Sequence, residues 1–81
     1  MEIEDAQELT LIYIAKRLKE ALALEQVLEN AGVEYDVRPD TYRGGIIFVS
    51  ERVGAFFYVS PEDVEKAHTV MREHEFKPQK H

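Results

Sequence analysis

The sequence of 81 residues contains no cysteine. This absence excludes a disulfide framework, a thiolate zinc site and a cysteine nucleophile, and it fits a reducing compartment. No apolar run approaches the roughly 20 residues that a membrane-spanning helix needs, and residues 1–8 are acidic where a signal peptide needs positive charge. We therefore expect a cytoplasmic protein that is stabilised by packing.

Basic residues are scarce as well. The chain has 10 Lys and Arg against 16 Asp and Glu, for a net charge of -6. Four acids precede the first base, so the remainder of the chain is nearly balanced; they are Glu2, Glu4, Asp5 and Glu8. Nucleic-acid binding requires clustered Lys and Arg. We expect no nucleic-acid partner.

Motifs that carry chemistry are also missing. Ser50 and Ser60 are the only serines, neither lies in a G-x-S-x-G motif, and no phosphate-loop pattern occurs. His68 and His74 are six residues apart, which places them on different faces of a helix and not at the i, i+4 spacing of helical metal sites. We expect no catalytic residue, no metal and no cofactor.

The apolar content is that of a folded chain, with 44% hydrophobic and 32% charged residues. We expect one domain over residues 9–76, a flexible acidic leader at 1–8 and a frayed tail at 77–81. A domain this short buries only about 60% of the surface that its unfolded chain exposes. A homodimer or a protein partner would add to that burial, and we expect one.

Two segments have helical periodicity. In the first, apolar residues recur every three or four positions before Gly32, which suits a helix C-terminus; they are Leu18, Ala21, Leu22, Leu24, Val27, Leu28 and Ala31. The second begins with Ser60 as N-cap and Pro61 in the first turn. Its apolar stripe is Val64, Ala67, Val70 and Met71, with His74 as a further candidate.

Three segments have the pattern of strands. Residues 9–15 are apolar on both faces, residues 33–38 alternate as a half-exposed edge strand should, and residues 55–59 (AFFYV) are apolar throughout. The segment 39–45 (PDTYRGG) predicts a turn. The run 46–49 is either the hairpin partner of 55–59 or a loop that enters the core.

The element order is therefore β-α-β-β(-β)-α. Right-handed crossovers place both helices on one face of a small mixed sheet, which predicts an α+β two-layer sandwich of ferredoxin-like or PII-like type. The other sheet face then carries uncovered apolar side chains, and such a patch marks an interface. We take Ile12, Ile14, Phe56 and Tyr58 as its residues, with Leu11, Tyr13 and Phe57 as the alternative set.

The stretch LIYIAKRLKEALALEQVLENAGVEYDV, followed after a loop by V-S-P-E-D-V-E-K-A, resembles a family of small bacterial signal-transducing domains of unassigned function with a PII-like fold. The resemblance covers about residues 9–74. The segment GGIIFVSERVG is longer than in that family, and Ser60 separates the strand from Pro61. The resemblance implies a regulatory or binding domain without assigned chemistry.

The segment 38–54 is locally basic and rich in glycine. Glycines let backbone N–H groups approach a ligand, and such groups together with arginines can bind a carboxylate or phosphate. The candidate residues of this site are Tyr42, Arg43, Gly44, Gly45 and Arg52. The alternative is that the glycines form a turn and that the arginines are solvated or paired with Glu51.

Three functions follow from these observations. The first is a non-enzymatic regulatory domain that binds a small anionic ligand, and the second is an interaction or dimerisation module that uses the second sheet face. The third is an acylphosphatase-like enzyme, a class of similar size and topology. The arginine-bearing, glycine-rich loop of that class would fall at residues 15–18, where Arg17 is present and glycine is absent. We therefore expect no enzyme.

Overall fold

A computed structural model describes residues 8–45, 47 and 50–76, which form three strands and two helices. In chain order the elements are β1 (Thr10–Ala15), α1 (Leu18–Asn30), β2 (Asp36–Gly44), β3 (Ser50–Val59) and α2 (Val64–Glu73), with a 3-10 turn at Pro61–Asp63. The α+β class is confirmed. The predictions for residues 1–7, for 46, 48 and 49 and for 77–81 lie outside the described residues.

The sheet has the strand order β1-β3-β2, and both neighbouring pairs are antiparallel. The expected mixed sheet is therefore wrong for the described strands. β3 lies between β1 and β2, so these two strands run in the same direction without pairing, and α1 connects them. β2 forms an edge of the sheet, as its alternating pattern predicted.

β2 and β3 form a hairpin much longer than the sequence indicated. Their register runs from Asp36 opposite Tyr58 to Gly44 opposite Ser50. The predicted turn at 39–45 is thus wrong over 39–44, and the predicted strand at 33–38 begins only at Asp36. Proline is tolerated on an edge strand because its missing N–H removes no bond to a neighbour. Pro39 could therefore remain within β2.

α1 ends as predicted. Gly32 has a φ of +74°, and its N–H donates to the Glu29 carbonyl at 3.1 Å. The Val33 N–H donates to the Leu28 carbonyl at 3.0 Å. These two bonds and the left-handed glycine make a Schellman motif, and Val33 and Leu28 supply its apolar contact inside the core.

The start of α2 differs from its prediction. Pro61 occupies the first turn as expected, but the Ser60 hydroxyl makes no capping hydrogen bond. Instead the Ser60 carbonyl accepts from the Asp63 N–H at 2.9 Å, which winds residues 61–63 into a 3-10 turn. At the other end, His74 is exposed and stands at the C-cap, outside the apolar stripe.

Both helices pack on one face of the sheet. Apolar side chains from α1, α2, β1 and β3 share one core. Its largest fully buried side chains are Phe57, Ile12, Leu24, Leu28, Met71 and Val59. Partly buried residues such as Val37 of β2 and Phe76 extend this core. The Phe76 ring meets the Tyr13 ring edge-on, with centroids 5.5 Å apart.

β1 contains a register shift between Leu11 and Tyr13. Leu11 lies opposite Tyr58, whereas Tyr13 lies opposite Phe57, so the two residues do not share a face. A bulge of this kind inserts one extra residue, here Ile12, into the strand. Ile12 is 0% exposed in the helix-side core, and its assignment to the interface is therefore corrected.

Candidate functional site

The sheet face away from the helices, which we call the open face, collects most of the remaining candidate residues. Directly opposed residues share a face, and successive residues alternate. The register therefore assigns to the open face Leu11, Ile14, Asp36, Arg38, Asp40, Tyr42, Gly44, Ser50, Arg52, Gly54, Phe56 and Tyr58. Of the predicted interface residues, Ile14, Phe56 and Tyr58 lie here, whereas Phe57 lies in the helix-side core.

Phe56 lies at the centre of the open face. It stands between Ile14 of β1 and Arg38 of β2, and it is 9% exposed although it is not a member of the helix-side core. Ile14 and Tyr58 beside it are half-buried. The centre of this face is thus apolar and spans all three strands.

Charged groups frame this apolar centre. Arg38 Nε donates to Asp36 Oδ2 at 2.8 Å, and the Arg38 guanidinium carbon lies 5.3 Å from the centroid of the Tyr58 ring. Lys16 Nζ lies 5.4 Å from the centroid of the Tyr42 ring. These distances are those of cation–π contacts, which add to stability even when exposed.

Gly54 allows the Tyr42 ring to lie across the sheet. A Cβ atom at Gly54 would stand 3.1 Å from Tyr42 Cε1, from Ile14 Cγ2 and from the Ala15 carbonyl oxygen. Three strands therefore approach closely at this point. Gly54, which the sequence analysis placed in the basic and glycine-rich segment 38–54, is a packing position within β3.

The five residues of the predicted anion site do not converge. Tyr42 and Arg52 are register partners on the open face, whereas Arg43 pairs with Glu51 on the opposite face of the hairpin. Gly44 belongs to β2, and a Cβ there would meet the Arg52 side chain at 3.3 Å. Only Gly45, with a φ of +98°, has turn-like backbone. The two arginines thus project from opposite sides of the hairpin.

A groove that the sequence analysis missed lies on the helix side, between the start of α1 and the hairpin. Its volume is about 300 Å³. The residues that line it are Ala15, Lys16, Arg17, Leu18, Ala21, Val37, Pro39, Val53, Gly54 and Ala55. The sequence signal for it was Leu18, which was assigned to the core-facing stripe of α1 but is 74% exposed.

Two tyrosines have perturbed acidity. The Tyr35 hydroxyl donates to Glu29 Oε2 at 2.7 Å, and this bond raises the pKa of Tyr35 to about 12. Burial, followed by the nearby Glu20 carboxylate, raises the pKa of Tyr13. In both cases the neutral phenol is favoured, so neither tyrosine is activated as a base or nucleophile at neutral pH.

The histidines do not form a site. His68 Nε2 is buried without a hydrogen-bond partner among the described residues, and His74 Nδ1 lies 2.9 Å from the Val70 carbonyl oxygen. Within residues 8–45, 47 and 50–76, no three His, Asp or Glu side chains come together as a metal site would require. Neither histidine joins a catalytic pair in this part of the chain.

None of the helices in the described parts of the chain is long and apolar enough to cross a membrane. No family model, no curated protein and no solved structure matches the sequence or the fold.

Proposed function

We propose that this chain is a non-enzymatic binding domain of regulatory type that acts by protein–protein contact, and that its partner is a second copy of itself bound through the open face. The observation that carries this proposal is the one-sided coverage of the sheet. Both helices pack against the face that bears Phe57 and Val59. No helix or strand among the described residues packs on the face that bears Ile14, Phe56 and Tyr58.

The composition of the open face supports an interface. Protein interfaces have an apolar core and a polar rim, with aromatic residues and arginine enriched. Here the apolar centre of Ile14 and Phe56 is bordered by Arg38 with Tyr58 on one side and by Lys16 with Tyr42 on the other. Because each cation lies on a ring, burying this rim would leave fewer charges without a partner.

A small-anion site has less support. It would need the guanidinium groups of Arg43 and Arg52 to converge, and their positions on opposite faces of the hairpin oppose this. An enzyme has no support from a paired acid and base among the described residues. The interaction module, which needs no small molecule, is therefore the function that the geometry favours.

The finer fold assignment belongs to the same proposal. β1 and β2 are connected by α1 and separated by β3, and this split β-α-β arrangement is a feature of ferredoxin-like folds. It supports the resemblance to PII-like signal-transducing domains. We propose a bacterial origin on that resemblance alone and a cytoplasmic location because the cysteine-free composition fits a reducing compartment.

Sedimentation equilibrium tests the dimer. We expect the unmodified chain to dimerise below about 1 mM, a concentration that corresponds to a binding free energy near -4 kcal/mol. Ile14→Lys places a charge in the apolar centre and should give a monomer with unchanged far-UV circular dichroism. Ile47→Lys is the matched control, because Ile47 is 82% exposed and belongs to neither β2 nor β3. It should still dimerise.

Two results would contradict the proposal. One is an unmodified chain that stays monomeric over the whole concentration range. The other is an Ile14→Lys variant that associates as tightly as the unmodified chain. If Ile14→Lys unfolds, Tyr42→Lys at the rim of the same face replaces it, since Tyr42 is less central to the sheet.

A further inference from the structure

The groove between α1 and the hairpin is the second surface that the described fold leaves without a partner. Its walls are Leu18 on the first turn of α1 and Val53 on β3, and its floor includes Val37 and Ala55. Leu18 is 74% exposed and Val53 is 68% exposed. Leu22, one helical turn beyond Leu18, is 56% exposed. Large aliphatic residues thus face solvent on both sides of one depression.

The charges at this groove are unlike those of the rest of the chain. Arg17 lines it and is exposed; Lys16 lines it as well, but its ammonium lies at the Tyr42 ring on the open face. Lys19 follows on the same turn of α1. Glu20 is the neighbouring acid, and its Oε1 accepts from the Lys16 backbone N–H at 3.1 Å. A chain with a net charge of -6 therefore carries two exposed bases, Arg17 and Lys19, on either side of the exposed Leu18 in the sequence.

We propose that this groove binds an acidic peptide segment of another protein. One large apolar side chain of that segment would lie between Leu18 and Val53, and carboxylates on either side of it would meet Arg17 and Lys19. The groove volume of about 300 Å³ is at the lower end of the range for small-molecule sites, which suits one or two side chains.

A second copy of this chain is a poorer occupant of the groove. In a two-fold symmetric dimer the same patch meets itself. Arg17 and Lys19 of one copy would then face the same residues of the other copy, and like charges at an interface are unfavourable. The open face, on the other side of the sheet, has no such concentration of one sign. This inference is therefore independent of the proposed dimer.

Selection from a random octapeptide library displayed on phage tests the chemistry of the ligand. We expect the selected peptides to share one Leu, Ile, Phe or Met flanked by Asp or Glu. A fluorescent synthetic peptide of the selected sequence then measures affinity by anisotropy. Its binding should weaken as salt rises, because exposed charge pairs are screened.

Two pairs of matched variants locate the site. Arg17→Glu should weaken binding about tenfold. Arg72→Glu makes an equal change of net charge at an exposed position of α2, and it should leave binding unchanged. Val53→Glu should also weaken it about tenfold, whereas Ile47→Glu, at an exposed position outside the groove, should not. Far-UV circular dichroism should be the same for all four variants, since each changes an exposed side chain.

The proposal is overturned if the library yields no binders, or if the selected peptides lack an acidic and apolar pattern. It is also overturned if the groove variants and their controls weaken binding equally. If Val53→Glu abolishes self-association in sedimentation while peptide affinity is unchanged, the occupant is a second copy and the peptide assignment is wrong. The Ile14→Lys variant should retain peptide binding, which separates the two surfaces.

Discussion

Replacing Gly54 with alanine tests the close packing of the three strands. The added Cβ would stand 3.1 Å from the Ala15 carbonyl oxygen, from Ile14 Cγ2 and from Tyr42 Cε1. Tyr42 can turn away only by leaving Lys16, and the Ala15 oxygen can move only if β1 and β3 separate. Gly44→Ala is the matched control in the same hairpin, since its Cβ would meet only the flexible Arg52 side chain.

The expected magnitude follows from two opposing effects. Overpacking of a buried site costs about 1 to 3 kcal/mol. Against this, alanine restricts the unfolded chain and stabilises by about 0.4 to 1 kcal/mol. We expect Gly54→Ala to lower the free energy of unfolding by about 1 to 2 kcal/mol, and thus to lower Tm by roughly 5 to 15 °C. Gly44→Ala should stay within about 0.5 kcal/mol of the unmodified chain.

Urea denaturation followed by circular dichroism measures both variants, with thermal unfolding as a second readout. Adding Tyr42→Ala to Gly54→Ala removes one of the three contacts and should recover part of the lost free energy of unfolding. We expect a coupling energy between the two substitutions of at least about 0.5 kcal/mol. The reasoning is refuted if Gly54→Ala is as stable as the unmodified chain. It is also refuted if Gly44→Ala costs more than Gly54→Ala.

Three further predictions concern acidity, a helix end and the core. The hydrogen bond to Glu29 raises the pKa of Tyr35 to about 12. The stability that this bond contributes is therefore complete below pH 10 and is lost as pH rises through about 12. Glu29→Gln should lower the pKa of Tyr35 in an absorbance titration, and an unchanged titration would contradict the contact. Gly32→Ala meets no atom within 4 Å but must hold a φ of +74°, which should cost about 1 kcal/mol in urea denaturation, and a neutral result would argue against the left-handed helix end. Met71→Ala empties a position that is 0% exposed, and it should cost about 2 to 5 kcal/mol, measured in the same way; a loss below about 1 kcal/mol would mean that the core had collapsed around the gap.

The helices were predictable because local signals agree with the tertiary structure. The apolar periodicity of α1 and the glycine that ends it both depend on neighbours within a few positions, and α1 ends one residue before the predicted position 31. Pro61 marks the 3-10 turn that leads into α2, and α2 itself begins three residues later, at Val64. The Ser60 cap was predicted wrongly, because a serine side chain and a 3-10 backbone bond satisfy the same N–H groups and the sequence does not distinguish them.

The hairpin and the faces of the sheet were less predictable because they depend on distant residues. Pro39, Gly44 and Gly54 normally indicate turns, yet all three lie in strands. Pro39 is tolerated because β2 is an edge strand. Gly44 leaves room for the Arg52 side chain, and Gly54 leaves room for the Tyr42 ring. The bulge at Ile12 has no local signal, and it decides which side chains of β1 are buried. The groove was missed because Leu18 fits a core stripe by spacing, whereas the structure leaves it 74% exposed beside the hairpin.

The central position of β3 determines when the sheet can be completed during synthesis. β1 is made before the other described elements, but the strand beside it ends at Val59. At about 5 to 20 residues per second, roughly 45 further residues take two to nine seconds to be added. The β2–β3 hairpin, whose contacts are local, forms within about 10 microseconds once it is available. The apolar segment Thr10–Ala15 therefore has no neighbouring strand to pair with until Val59 has been added to the nascent chain.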